Sequence, residues 1–251
     1  MVNETSHGTS VVCRNCGTAL SGKYCSNCGQ KDRGSSLDAG DLASEAVDAI
    51  VRLDSKLWRT IIDLTRNPGQ VARDYVSGKR ARYVNPVRYC LAAIALSIAL
   101  SISTGEIRAL SDSVLFTFLS EVPNDAAFAR IAEFLAKYLN VMSLLAVPIY
   151  ALVAKLFFRG AAYSYADNFS FVCFIVGHGA FLSAFGTLFN MYVYYIGLLP
   201  AFLLTNAVYT YGAMRFFGRG FWAAISFVSV ASLVYMALIY AVAWVWFVRL
   251  A

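Results

Sequence analysis

Residues 168–189 read NFSFVCFIVGHGAFLSAFGTLF, from Asn168 to Phe189, with no Asp, Glu, Lys or Arg among them. About 20 apolar residues of α-helix cross the hydrocarbon core of a bilayer, so this stretch is long enough to span. Four others approach that length: Pro86 to Thr104, Leu139 to Phe158, Met191 to Met214 and Phe221 to Val248. The first is diluted by Ser97, Ser101 and Ser103, and Pro148 and Pro200 fall inside two of the others. The expected fold is an all-α multi-pass membrane protein of about five transmembrane helices, filling residues 86–251.

The rest of the composition agrees. The 251 residues are 59% hydrophobic and 14% charged, where a soluble domain carries roughly a quarter of its residues as charged side chains. Residues 1–88 hold 13 of the 21 Lys and Arg and 9 of the 15 Asp and Glu. The chain is therefore a polar head on an apolar body.

The head opens with a short tail, residues 1–12, that lacks the apolar core of a cleavable signal peptide. Cys13-Arg14-Asn15-Cys16 follows, then eight residues, then Cys25-Ser26-Asn27-Cys28. Two CxxC turns at this spacing aim four sulfurs at one point, and Gly17 and Gly29 let the backbone turn beneath them. Thiolates are soft ligands, and a full set of four leaves no open coordination position. The pattern predicts one structural Zn2+ on Cys13, Cys16, Cys25 and Cys28, in a zinc ribbon over residues 13–30. Disulfides need an oxidising compartment, and a redox CxxC normally stands alone. With Val12, Leu20 and Tyr24 as the chief other apolar residues, the module is expected to need its metal to fold.

A polar linker, residues 31–36, leads into residues 37–85. There, apolar positions such as Leu42, Ala46, Ile50, Leu57, Trp58 and Ile61 recur at helical spacing among charges. One or two amphipathic helices are expected, either packed on the protein or lying in the membrane interface with Trp58 as an anchor. Asn67-Pro68-Gly69 breaks the pattern. A basic run then precedes the first span, and Lys79, Arg80, Arg82 and Tyr83 are candidate contacts for lipid headgroups. Topogenic charge without a specific ligand is the plainer alternative.

Basic residues beside the spans set orientation. Lys79, Arg80, Arg82, Arg88, Lys155, Arg159, Arg215 and Arg219 share one side when the N-terminus is cytoplasmic. Five spans then put the C-terminus outside, and a bacterial inner membrane is the expected location. Within the spans His178 is the ionisable group nearest a helix centre. Gly177 and Gly179 beside it would let another helix approach, and no acidic residue lies at that depth to make a relay. A hydrogen-bonded packing histidine is the simpler reading. Cys90 and Cys173 read as small apolar fillers.

The motifs CRNCG and YCSNCGQ (residues 13–17 and 24–30), Leu53-Asp54, Trp58-Arg59-Thr60, Asn67-Pro68-Gly69, Tyr75, Gly78-Lys79-Arg80, Tyr83 and Asn85-Pro86 resemble an uncharacterised bacterial domain family. Its members join a short zinc ribbon to a multi-pass membrane region. The resemblance implies that architecture and no activity.

No constellation for nucleophilic, phosphate-handling or hydrolytic metal chemistry is found, so an enzyme is not expected. The leading expectation is a membrane scaffold whose ribbon docks a cytoplasmic protein at the lipid bilayer. A small-molecule or lipid transporter with a regulatory ribbon is the alternative. Nucleic acid is disfavoured by the few basic and aromatic residues of the ribbon, and a homo-oligomer is compatible with the spans.

Overall fold

The computed structural model describes residues 12–30, 55–104, 142, 144–193 and 199–245. Residues 1–11 and 31–54, which hold the expected tail, linker and first part of the amphipathic segment, lie outside them. So do the whole stretch between the first two expected spans and the parts of the later spans at 139–141, 143, 194–198 and 246–248.

Two short helices come first, α1 (Ser55–Arg66) and α2 (Pro68–Val76), then a single 3-10 turn, Arg80–Arg82. The body holds α3 (Pro86–Thr104), α4 (Leu144–Phe157), α5 (Tyr165–Tyr192), α6 (Leu199–Phe217) and α7 (Phe221–Trp244). Local chemistry starts these helices. Asn67 accepts the Gln70 N–H with Pro68 in the first turn, and Asn85 accepts the Val87 and Arg88 N–H groups with Pro86 in the same role. An Asx cap followed by proline satisfies orphan donors and presets helical φ. Ser164 and Asp167 form a reciprocal capping box at the start of α5. Gly218 follows the end of α6, where the Arg73 Nε and the Tyr163 hydroxyl both donate to the Phe216 carbonyl, at 2.9 and 3.2 Å.

Among the described residues the helices are the only extended regular elements, and three are long and apolar enough to cross a membrane: Arg80–Ser103, Tyr165–Tyr192 and Phe221–Val242. By length and composition this marks a membrane protein. The expected count of five is not reached on those grounds. The described part of the second span, Leu144–Phe157, is apolar but shorter, and α6 has 19 residues interrupted by Thr205, Asn206, Thr210 and Arg215. Pro200 is the second residue of α6 rather than a mid-span kink, because α5 runs on to Tyr192. At the helix start its missing N–H costs nothing.

Contacts give the relative directions. Cys90 of α3 meets Gly177 of α5, and one to two turns on Ile94 and Ser97 face Ala180 and Ser183, so α3 and α5 are parallel. Helix α6 opposes α5: Gly179 lies against Thr205 and Tyr209, and Phe171 stacks on Phe216 with centroids 4.4 Å apart. Phe158 at the end of α4 stacks on Phe217 and touches Phe227, while Tyr150 reaches Tyr209 and Tyr235. Helix α4 therefore runs with α6 and against α7. Direction alternates from α3 to α7.

Helix α5 is the centre of the bundle. Of its apolar window 61% is buried, against 22% for the corresponding window of α7. Phe171, Val172, Phe174 and Ile175 of α5 are completely enclosed, whereas Trp222, Leu233 and Val242 of α7 face outward. Helices α1 and α2 close the end where α4 and α6 stop and α5 and α7 start. Gly69 crosses α6 there so closely that a Cβ would stand 2.5 Å from Arg215 Cβ and 2.6 Å from Phe216 N. The inner face of α1 buries Leu64 and Thr60, with Leu57 and Ile61 packed beside them. Trp58 remains on the outer face, 67% exposed.

Candidate metal centre and its seat on the bundle

The four cysteines of the head converge. Their sulfurs all lie within 4.8 Å of one another, with Cys13 to Cys28 at 3.6 Å and Cys16 to Cys25 at 3.5 Å. A tetrahedral ion with metal–sulfur bonds of about 2.3 Å requires sulfur–sulfur edges of roughly 3.8 Å, so the donors fit such an ion. All four are free thiols.

Two matching knuckles place them. Gly17 N–H returns to Cys13 O and Gly29 N–H to Cys25 O, while Cys13 N–H reaches Thr18 O and Cys25 N–H reaches Gln30 O, all at 2.8 to 2.9 Å. Gly17 and Gly29 have φ of +76° and +69°, a region open to glycine at little cost. Turns make up most of the segment, with an isolated antiparallel bridge between Val12 and Ala19. The Thr18 hydroxyl and N–H stabilise the Cys16 thiolate and pull that thiol down to about 6. At Cys13 the Cys16 N–H acts in the same direction, but burial and the Cys28 and Cys16 sulfurs outweigh it and push the thiol up to about 11. A metal would have to displace the proton from Cys13.

The four-cysteine segment rests on the bundle. Gln30 Nε2 donates to the Gly78 carbonyl at 2.6 Å, and the Ala81 N–H donates to Gln30 Oε1 at 2.9 Å. One side-chain amide thus satisfies a carbonyl and an N–H on either side of Lys79 and Arg80. The stem of Arg14 lies over Gly78, where a Cβ would stand 2.7 Å from Arg14 Cδ.

The basic run is engaged internally. Lys79 pairs with Asp74 at 3.1 Å and Arg82 with Asp63 at 3.0 Å, while both side chains stay about half exposed. Arg80 stands over the Tyr75 ring, 5.9 Å from its centroid. Tyr83 is buried and its hydroxyl donates to Asp74 at 3.4 Å. These candidate headgroup contacts are thus also the bonds that fold the turn beneath the four-cysteine segment.

His178 is fully buried, with Tyr89 Oη 2.9 Å from Nδ1 and Thr65 Oγ1 3.3 Å from Nε2. Thr65 donates its own proton to Ile61 O at 2.9 Å, so it accepts from Nε2–H, and Nδ1 accepts from Tyr89. This assigns the neutral Nε2–H tautomer from the bonding pattern. The imidazole ties α1, α3 and α5 together. Gly177 admits α3 beside it and Gly179 admits α6.

Sequence reasoning gave no role to Gln30, Thr60 or Thr65. For the two threonines a trace was present, since both share the apolar face of α1 with Leu57, Ile61 and Leu64. Gln30 stands five residues after Cys25, as Thr18 stands five after Cys13, but nothing local tells a residue that closes a knuckle from one that reaches the bundle.

Against known proteins, a family model described as "Protein of unknown function (DUF3667)" matches residues 54–98. The chain is similar to that family across α1, α2, the basic turn and most of α3, the segment on which the four-cysteine segment sits. No curated protein and no solved structure matches the chain.

Proposed function

We propose that the chain is a five-pass protein of a bacterial inner membrane whose zinc-loaded ribbon is held at the cytoplasmic face as a docking platform for a protein partner. The observation that carries this is the seat of the ribbon: Gln30 and Arg14 fix it on the Gly78–Ala81 turn rather than leave it on a loose tether. A rigidly presented module loses less entropy when a partner binds. Closed four-thiolate coordination favours a structural zinc, with no open position for chemistry, and no reaction is proposed.

The alternating directions of α3 to α7 support five passes, because each reversal returns the chain to the opposite end. Lys79, Lys155 and Arg215 belong to the end closed by α1 and α2, which supports a cytoplasmic ribbon and an external C-terminus. A C-terminal reporter active only in the cytoplasm should stay silent, and activity there would refute the odd number of passes.

The docking role is tested by in-cell crosslinking of the intact protein beside a Cys25→Ser, Cys28→Ser variant. Discrete partners captured by the intact chain and lost by the variant are expected. A partner set that survives loss of the ribbon's metal would reject the proposal.

A cavity of about 220 Å³ favours a second reading, the handling of a lipid or small uncharged solute. It lies among α3 to α7, lined by the hydroxyl residues Ser97, Ser183, Thr205, Tyr150, Tyr209 and Tyr235 with no charged side chain. Labelling of α5 and α6 by a photoactivatable diacylglycerol, abolished by Ser183→Leu, would support it; labelling indifferent to that substitution would reject it.

A further inference from the structure

We infer that the ribbon is a metal-held latch whose first docking surface is the chain's own Gly78–Ala81 turn, so that loss of the metal releases it from the bundle. Gln30 has two jobs. Its main-chain carbonyl accepts the Cys25 N–H at 2.8 Å and so closes the second knuckle, while its side chain bonds Gly78 and Ala81. The same residue therefore reports the fold of the knuckle to the membrane end of the protein.

Without metal, little else holds the knuckles. The ribbon's apolar content is small, with Val12 and Tyr24 exposed, and a module of this kind folds on its metal. Once the Cys25 knuckle opens, the Gln30 backbone is no longer fixed, and two bonds to the turn must then be made by a free chain at full entropic cost. Release uncovers the turn at Gly78, now covered by the stem of Arg14. It does not unmake the turn, which keeps the Lys79–Asp74 and Arg82–Asp63 pairs and the bond from Val84 N–H to Thr60. The latch is thus separable from the bundle on which it closes.

This rests on the reading of the four cysteines as a zinc site, and one experiment distinguishes the two claims. Amide hydrogen exchange is followed at Ala81 in the full chain in lipid nanodiscs, with Val84 as internal control and zinc counted in the same samples. The expected result is slow exchange at Ala81 with zinc bound and at least tenfold faster exchange after chelation, with Val84 unchanged. Gln30→Ala should exchange fast at Ala81 in either condition while keeping its zinc. Ala81 protection that survives chelation, or survives Gln30→Ala, overturns the latch and leaves the zinc site standing. A chain that carries no zinc at all overturns both.

Discussion

Thr60 sits on the buried face of α1, donates to Lys56 O at 2.8 Å and accepts the Val84 N–H at 3.1 Å. That hydroxyl joins the first helix to the strand-like entry of α3, and both of its bonding functions are used. Thr60→Val keeps the shape and leaves a buried N–H unpaired, which costs about 1–3 kcal/mol. A lowered midpoint of thermal unfolding in detergent should show it, and Thr65→Val, which leaves the buried Nε2–H of His178 unpaired, should lower it comparably. An unchanged midpoint in either variant would contradict these assignments. The cysteines were legible at this scale because ligand type and spacing are local facts. Gln30 and Thr65 were not, since their partners stand 48 and 113 residues away. The charge of the basic run was visible, but nothing local paired Arg82 with Asp63, 19 residues away, or showed that the Lys79–Asp74 pair would fold the turn.

Helix α2 shows what periodicity misses. Nine residues long, it carries Pro68, Gly69, Val71, Ala72 and Tyr75 into the core, and it crosses α6 at Gly69 with backbone almost touching backbone. The sequence marked a break at Asn67-Pro68-Gly69, and nothing in the segment itself revealed that α6 lay against it. Gly69→Ala puts a methyl into the backbone of Gly212 and Phe216, and such overpacking costs about 1–3 kcal/mol. Gly160→Ala, where a Cβ meets nothing within 4 Å, is the matched control and should be close to neutral in the same thermal assay. Equal effects would mean that α2 does not cross α6 as described. The long apolar helices α3, α5 and α7 were legible because crossing length is a simple property of sequence. Helix α6 was harder, as Thr205, Asn206 and Thr210 are polar enough to blur a span. Here Thr210 is buried and Thr205 lines the cavity, so part of that polarity faces the protein.

At the scale of the whole molecule, the described residues form a bundle of alternating helices closed at one end by α1 and α2, with a four-cysteine module seated on the closure. Helix α5 supplies the axis, surrounded by protein along its first half, while α7 turns leucine, valine and tryptophan outward where lipid can cover them. The division into polar head and apolar body was plain in the composition. That the head is fastened to the body was not, because the fastening is made by one glutamine and one arginine stem across a gap in sequence. Hydrophobic matching placed the helices; a few polar bonds placed the four-cysteine segment.

The metal centre is tested most directly by the zinc content of the purified full chain, measured by native mass spectrometry. One zinc per chain, lost in the Cys25→Ser, Cys28→Ser variant while the helical bundle persists, is the predicted result. A metal-free chain, or cysteines joined in disulfides within the cell, would contradict it.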